Sequence, residues 1–314
     1  MILENGFVIN PEQFFRPSIR ISPFNTSYVG TNKNIAENIR ALEKESLSEY
    51  FGGNFVATIS GKAAITRALQ HYNLQKEDNV LIVTTTGNKY ISGCVTRTIE
   101  QFCSWTRTYN EKTKLIFVNH EFGFPFTNWL QIKDYNLPII EDRAYSLFST
   151  DNQTTGLIGD FVIYSLPKWF PMQMGGILQS NSNIPLDDGR QTETERILLN
   201  ILKYYLDEKN QLIEKRRRNY EYFTKLFEEI DCPPFFTQTE GITPGVFMFR
   251  NNGKMDLSAL KEFMQSNGIE ASVFYGEDAF YLPVHQNLNN DHIEFMFTLV
   301  KYFINHSALE INRD

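Results

Sequence analysis

The stretch FVIYSLPKWFPMQMGGIL, residues 161–178, decides how the rest of the chain is read. An apolar run from Phe161 to Leu166 stops at Pro167 and a lone lysine, Lys168, ahead of the pair Gly175 and Gly176. A charged side chain among apolar neighbours is costly to bury unless it is paired or chemically used. Two readings follow. The stem packs along apolar surface while the amine reaches water, or the amine is desolvated, loses its proton readily and serves as a nucleophile for an aldehyde.

Upstream, NFVATIS (54–60), NVLIVTT (79–85), KLIFVNH (114–120) and LPIIEDR (137–143) are further short apolar runs, and FVIYSL (161–166) completes the set. Near-continuous apolar character, rather than alternation, predicts strands covered on both faces. AAITRALQHY (63–72) and YISGCVTRTIEQF (90–102) read as the helices between them. Strand–helix–strand alternation predicts an α/β domain with a mostly parallel sheet. The character changes near residue 206: a long amphipathic helix over 207–230 is broken by CPPFF (232–236). The remainder reads as a small α+β domain, so the expected division is 1–206 and 207–314.

The bulk numbers exclude several classes. A net charge of −7 over 314 residues argues against a nucleic-acid surface. The basic run Lys215 to Arg218 sits in a helical, glutamate-containing segment and reads as a solvated face. Three cysteines without a CxxC, and five scattered histidines, predict neither disulfides nor a metal site. With no signal-like N-terminus and no 18-residue apolar window, a cytoplasmic protein that does not engage a membrane is expected.

Ligands of open α/β sheets bind beyond the carboxyl ends of the strands, and two more features fall there. In ATISGKAAITRAL a strand ends at Ser60, Gly61 permits a turn and a helix follows. Its free N–H groups would hold a phosphate, with Lys62 adding charge; taken alone, an ordinary serine cap followed by a glycine turn is the commoner reading. In IIEDRAYSL, Asp142 ends a strand between Glu141 and Arg143. It could pair with a protonated ring nitrogen of a cofactor, or simply cap a helix or bridge to Arg143.

In this order, the motifs resemble the sugar aminotransferases of the DegT/DnrJ/EryC1/StrS family, pyridoxal 5′-phosphate (PLP) enzymes of the aspartate-aminotransferase fold. The likeness runs from about Ile35 to Asn305. SGKAAITRAL is similar to the family's Ser-Gly-Thr-Ala-Ala-Leu phosphate turn, and IIEDRAYSL to its Ile-Glu-Asp-x-Ala-His/Gln signature. GDFVIYSLPKWFPMQMGGIL resembles the lysine segment that ends in a double glycine, and FYLPVHQNLNNDHIEFMFTLVKYFI the closing segment. The resemblance implies a PLP-binding large domain with a small C-terminal domain.

It also implies roles. Lys168 would attach to the cofactor aldehyde and later move a proton between substrate and cofactor carbons; Asp142 would sit on the ring nitrogen. Tyr145 would lie near the phenolic oxygen and Tyr90, opening the helix after the second strand, would stack on the ring. Ser60, Gly61 and Lys62 would hold the phosphate, with Ser165 as a hydroxyl contact. His120 and His285 read as structural. The implied reaction moves an amino group from an amino acid to a nucleotide-linked keto-sugar in a homodimer. The alternatives are a degenerate paralogue that binds cofactor or nucleotide sugar without turnover, and PLP-dependent elimination or decarboxylation.

This sequence departs from the family pattern in places. Lys62 replaces threonine, Arg143 follows the aspartate, and Ser165 stands only three residues before the lysine. The family's Gly-x-Asn-x-Arg segment is not evident, and PLDDGRQTETERILLNIL (185–202) stands in its place.

Overall fold

The apolar runs do form strands, because each has a partner on both faces. The computed structural model describes residues 18–38, 44–52, 54–150, 157–181, 184–186 and 192–311. Within them the chain divides into two compact units: Phe24–Asn210 with Glu240–Thr243, and Gln211–Thr239 with Pro244 onward, which also takes in the segment ahead of Phe24.

In the first unit the order is α1 (Tyr28–Asn38), α2 (Ser48–Phe51), β1 (Phe55–Thr58), α3 (Gly61–Gln70), β2 (Asn79–Thr84) and α4 (Gly93–Ile99). Then come β3 (Ser104–Thr106), β4 (Thr113–Asn119), α5 (Leu130–Lys133), β5 (Ile139–Asp142), β6 (Phe161–Ser165), β7 (Gly176–Ser180) and α6 (Glu193–Leu206). The seven strands form one sheet in the order β1-β7-β6-β5-β4-β2-β3. Only β7 runs against its neighbours, pairing antiparallel with β1 and β6. Every other recorded pairing is parallel.

Alternate residues of one strand enter different cores, as the two-residue side-chain period requires. Val80, Ile82, Leu115, Phe117 and Ile140 pack with Ala64, Ile65 and Leu69 of α3 and with Val95 and Ile99 of α4. Leu81, Ile116, Val118 and Ile139 pack instead with Phe126, Trp129 and Ile132. Burial on both faces removes any need for polar alternation, which is why the runs are continuous.

Three features differ from the sequence expectation. The helix expected over 90–102 begins only at Gly93, because Ser92 caps it by accepting from Cys94 N at 3.3 Å; Tyr90 therefore lies on the loop ahead of it. Two strands, β3 and β7, were not expected. The segment 185–202 contributes α6, whose capping box joins Thr192 and Glu195; residues 187–191 lie outside the described set.

The second unit takes most of α7 (Lys209–Glu228), then β8 (Val246–Arg250), α8 (Leu257–Ser266), β9 (Ser272–Val273), β10 (Ala279–Pro283) and α9 (Asn290–Ile311). Its three strands form an antiparallel sheet ordered β8-β10-β9. Phe223 of α7 stacks on Phe247 of β8 with ring centroids 4.7 Å apart, and Phe227 packs on Phe297 of α9 at 5.5 Å. Ile19 bridges to Ile269 in this unit. Gly268 stands at φ +79 just past α8, a left-handed C-terminal stop. His285 is buried, accepts from Asn287 N at 3.2 Å, and burial depresses its pKa to about 3. That makes it a neutral structural group. Among the described residues no helix is long and apolar enough to cross a membrane, and no cluster of His, Cys, Asp or Glu could hold a metal.

Candidate active site

The candidate residues meet at the carboxyl ends of β1, β5 and β6, all within the first unit. At β1 the chain turns through Ser60, whose Oγ accepts from Ala63 N at 3.1 Å and caps α3. The first N–H groups of a helix have no carbonyl partner within it. With Ser60 serving Ala63, an anion at this helix start would be met by the Gly61–Lys62 backbone and by the helix dipole. Lys62 itself is exposed.

The double glycine is explained by this turn. Leu166 N donates to Gly175 O at 3.0 Å, and Gly175 N to Ile59 O at 2.9 Å. Gly175 stands at φ +124, a conformation open to glycine. A Cβ on Gly176 would lie 2.6 Å from Ser60 C and 2.7 Å from Gly61 N, so β7 can approach the turn only without a side chain. A Cβ on Gly61 would lie 3.1 Å from Ser165 Cβ and 3.4 Å from its Oγ, so that hydroxyl borders the same cradle.

At β5 two adjacent carboxylates face different surroundings. Asp142 is buried; its Oδ1 accepts from Ala144 N at 3.0 Å and its Oδ2 from Asn119 Nδ2 at 3.2 Å. Burial dominates, and its pKa is pushed up to about 6 despite the Ala144 N–H, the charge on Lys168 and Asn119. Glu141 is different. Its Oε1 accepts from Ile158 N and Gly159 N, each at 2.6 Å; its Oε2 accepts from His120 Nε2 at 3.1 Å and Arg143 at 3.5 Å. Burial would raise its pKa, but His120, then Arg143 and the Gly159 N–H, hold it below the ordinary value. Arg143 thus pairs with Glu141, not with Asp142, and its other amine donates to Ser149 O at 2.6 Å. His120 accepts from Phe126 N through Nδ1, which leaves its hydrogen on Nε2 and makes it structural as well.

Lys168 closes a single 3-10 turn, Leu166–Lys168, whose second residue is Pro167. Its Nζ donates to Tyr145 Oη at 2.6 Å and lies 3.9 Å from that ring's centroid. The next residue, Trp169, is fully buried and donates from Nε1 to Ala144 O at 2.9 Å. Phe148 meets both Trp169 and Phe170 edge-on, with centroids 5.2 and 5.9 Å apart. KWF is therefore an anchor: two buried rings fix the backbone so that the lysine between sheet and anchor reaches the β5 loop.

The geometry joins Lys168, Tyr145 and Asp142 in one group, and Ser60, Gly61 and Ser165 in a second next to it. Tyr90 sits on its loop about half exposed, its N–H donating to Asn88 Oδ1 at 3.0 Å. Sequence reasoning missed Asn119, Trp169 and Phe122. Phe122 occupies a tight turn after β4 with φ +53, followed by Gly123 at φ +101, and its ring packs on Tyr145 at 5.4 Å. A phenylalanine-glycine pair directly beyond a strand end is the signal that could have found it.

A family model described as "Putative PLP-dependent aminotransferase" matches residues 48–236, which hold both groups. The chain belongs to this PLP-dependent aminotransferase family. No curated protein matches it in sequence. Among solved structures it is similar to the "putative sugar aminotransferase" Spr1654 of Streptococcus pneumoniae in its apo form (TM-score 0.70, 16% identity, 93% of this chain and 99% of that one). Aminotransferase TlmJ of Streptoalloteichus hindustanus superposes with TM-score 0.67 at 16% identity, over 84% and 90% of the two chains. A DegT DnrJ EryC1 StrS aminotransferase of Brucella abortus gives 0.67 at 14%, over 88% and 96%. The fold is therefore that of the PLP aminotransferases.

The residues of this aminotransferase fit PLP. The cradle that a Cβ on Gly61 would fill, lined by helix N–H groups and a hydroxyl, suits a phosphate, and the half-satisfied buried Asp142 suits a cationic ring nitrogen. When bound, PLP supplies an aldehyde for an amine and a ring that withdraws electrons from a substrate carbon. For that chemistry the chain would offer the Lys168 amine, the Asp142 carboxylate toward the ring nitrogen, and the Ser60–Gly61 turn toward the phosphate.

Proposed function

We propose that Lys168 carries PLP, that Asp142 pairs with its ring nitrogen, and that Ser60, Gly61, Lys62 and Ser165 hold its phosphate. Tyr90 would lie against the ring. The enzyme would transfer the amino group of an amino acid to a keto-sugar carried on a nucleotide, working as a homodimer in the cytoplasm. The single observation that carries the reading is that the charge of Lys168 acts on buried Asp142 at strand ends that also carry the Gly61–Ser165 cradle, since amine, carboxylate and anion site are the parts PLP chemistry needs. The sugar class is supported by the similarity to the sugar aminotransferase Spr1654 of Streptococcus pneumoniae and by the four ordered sequence motifs.

The test is a visible spectrum of protein incubated with PLP, followed by borohydride reduction and peptide mapping, then donor and acceptor screening. A reducible adduct on the peptide containing Lys168, absent in Lys168→Ala together with all transamination, is the expected result. An adduct trapped elsewhere would overturn the assignment. A second reading, a paralogue that binds PLP without turnover, is favoured by one observation. Where the family has Gly-x-Asn-x-Arg, this chain runs into the capped helix α6. An adduct on Lys168 with no turnover of any nucleotide-linked keto-sugar would select it.

A further inference from the structure

Two neighbouring pairs lock the lysine loop to the β5 loop. Trp169 Nε1 reaches Ala144 O at 2.9 Å, and one residue away on each side Lys168 Nζ reaches Tyr145 Oη at 2.6 Å. The first bond fixes the spacing of the two backbones, so the second does not depend on a chance rotamer. The tyrosine ring is held as well. Phe122 packs against it from a left-handed backbone position, φ +53, which a bulky residue adopts only where its surroundings over-determine it. The amine also lies 3.9 Å from the ring centroid, a second attraction for its charged form.

We propose that Tyr145 is a catalytic residue: its hydroxyl receives the Lys168 amine whenever that amine is free, and fixes the point from which it takes up and returns protons. This rests on the reading of Lys168 as the reactive amine. The proton count is simple. Nζ accepts a proton through its lone pair, the resulting ammonium donates one N–H to Tyr145 Oη, and a proton later leaves from Nζ. The phenol keeps its own hydrogen throughout. A hydrogen bond accepted from an ammonium is worth more than one accepted from a neutral amine, so the hydroxyl favours the charged form. Among the described residues, Asp142 on β5 also favours it through its charge, and Lys62, exposed at the start of α3, is a like charge on a neighbouring element. Arg143 and Glu141 engage each other.

The experiment needs no cofactor. The apo-protein is labelled with trace acetic anhydride from pH 6 to 10, and acylation of Lys168 is mapped against Lys133 and Lys225 as internal references. Tyr145→Phe keeps the ring and the Phe122 contact but removes the acceptor. It is expected to move the labelling midpoint of Lys168 to lower pH and to raise labelling at neutral pH roughly tenfold. An unchanged midpoint would overturn the proposal. The reciprocal variant, Lys168→Met, is expected to change the rate of nitration of Tyr145 by tetranitromethane several-fold, because the amine seated on its hydroxyl is gone. Equal nitration would likewise overturn it, and this arm stands if the phenylalanine variant fails to fold. In the PLP-loaded enzyme, Tyr145→Phe is expected to lower kcat with little change in the KM for the amino donor. Failure to trap PLP on Lys168 with the labelling shift intact would remove the proposed function and leave the Tyr145–Lys168 coupling in place.

Discussion

Glu141 and Asp142 are adjacent on β5, equally buried, and treated in opposite ways by the fold. The strand pleat sends their side chains to opposite faces. Glu141 meets four donors, from His120, Arg143, Ile158 and Gly159, and is held ionised. Asp142 meets Ala144 N and Asn119 Nδ2, too little to offset its burial, and its pKa rises to about 6. The number of fixed donors separates a carboxylate that holds the fold together from one that, on our reading, waits for a cation.

The largest expected effect comes from breaking the saturated member. In Glu141→Gln the amide nitrogen would face His120 Nε2 and Arg143, leaving a buried guanidinium unpaired. Removing one partner of a buried pair costs about 3–5 kcal/mol. Urea denaturation at pH 7 should read a loss of that size. A loss below about 1 kcal/mol would show that Glu141 and Asp142 are not the opposites described here.

Asp142→Asn should act the other way on stability. A carboxyl whose folded pKa lies above its ordinary value of 3.8 binds more protons in the folded state. Its contribution is fully present below pH 3.8, declines as pH rises to about 6, and then stays lost. The asparagine variant lacks this decline, so apo Asp142→Asn should gain on the wild type between those pH values, by about 3 kcal/mol. Glu141 has the opposite sign: its contribution is present above its ordinary pKa of 4.5 and is lost as the solution is acidified below it. Despite the added stability, Asp142→Asn should lower transamination roughly a hundredfold or more, the scale set by losing one placed electrostatic partner. A parallel fall in stability and activity would break the comparison.

Most of the fold was legible because continuous apolar runs have one economical explanation, strands buried on both faces, and five of them became β1, β2, β4, β5 and β6. Strand β7 was not, since GGIL reads first as a glycine turn; its antiparallel pairing follows from contacts with β1 and β6 that are distant in sequence. In the candidate site, Lys168 and Asp142 stood out as charges at apolar strand ends. Asn119 and Trp169 did not, because each acts through a partner more than twenty residues away, Asp142 and Ala144 respectively. Arg143 was read as a departure near the cofactor, yet its guanidinium joins Glu141, a consequence of strand alternation that single-residue motif comparison passes over. Tyr90 was placed on a helix because hydrophobic spacing does not register that Ser92 is the better cap.

The smallest expected effect separates the two faces without touching either carboxylate. Gly159 donates its N–H to Glu141, and a Cβ there would lie 3.0 Å from Glu141 Cγ and 2.9 Å from Phe161 O. Gly159→Ala should therefore press on Glu141 and the strand carbonyls beside it and not on the Asp142 carboxylate, at the roughly 1–3 kcal/mol typical of overpacking. The Asp142-dependent slope of stability between pH 3.8 and about 6 should survive unchanged in its background, measured as the difference between Gly159→Ala with and without Asp142→Asn. If the slope disappears, the two carboxylates share one network through β5, and their division into structural and functional members is wrong. If it persists while stability falls, the sheet insulates them. A chain can then alter its donor set on one face without disturbing the chemistry of the other.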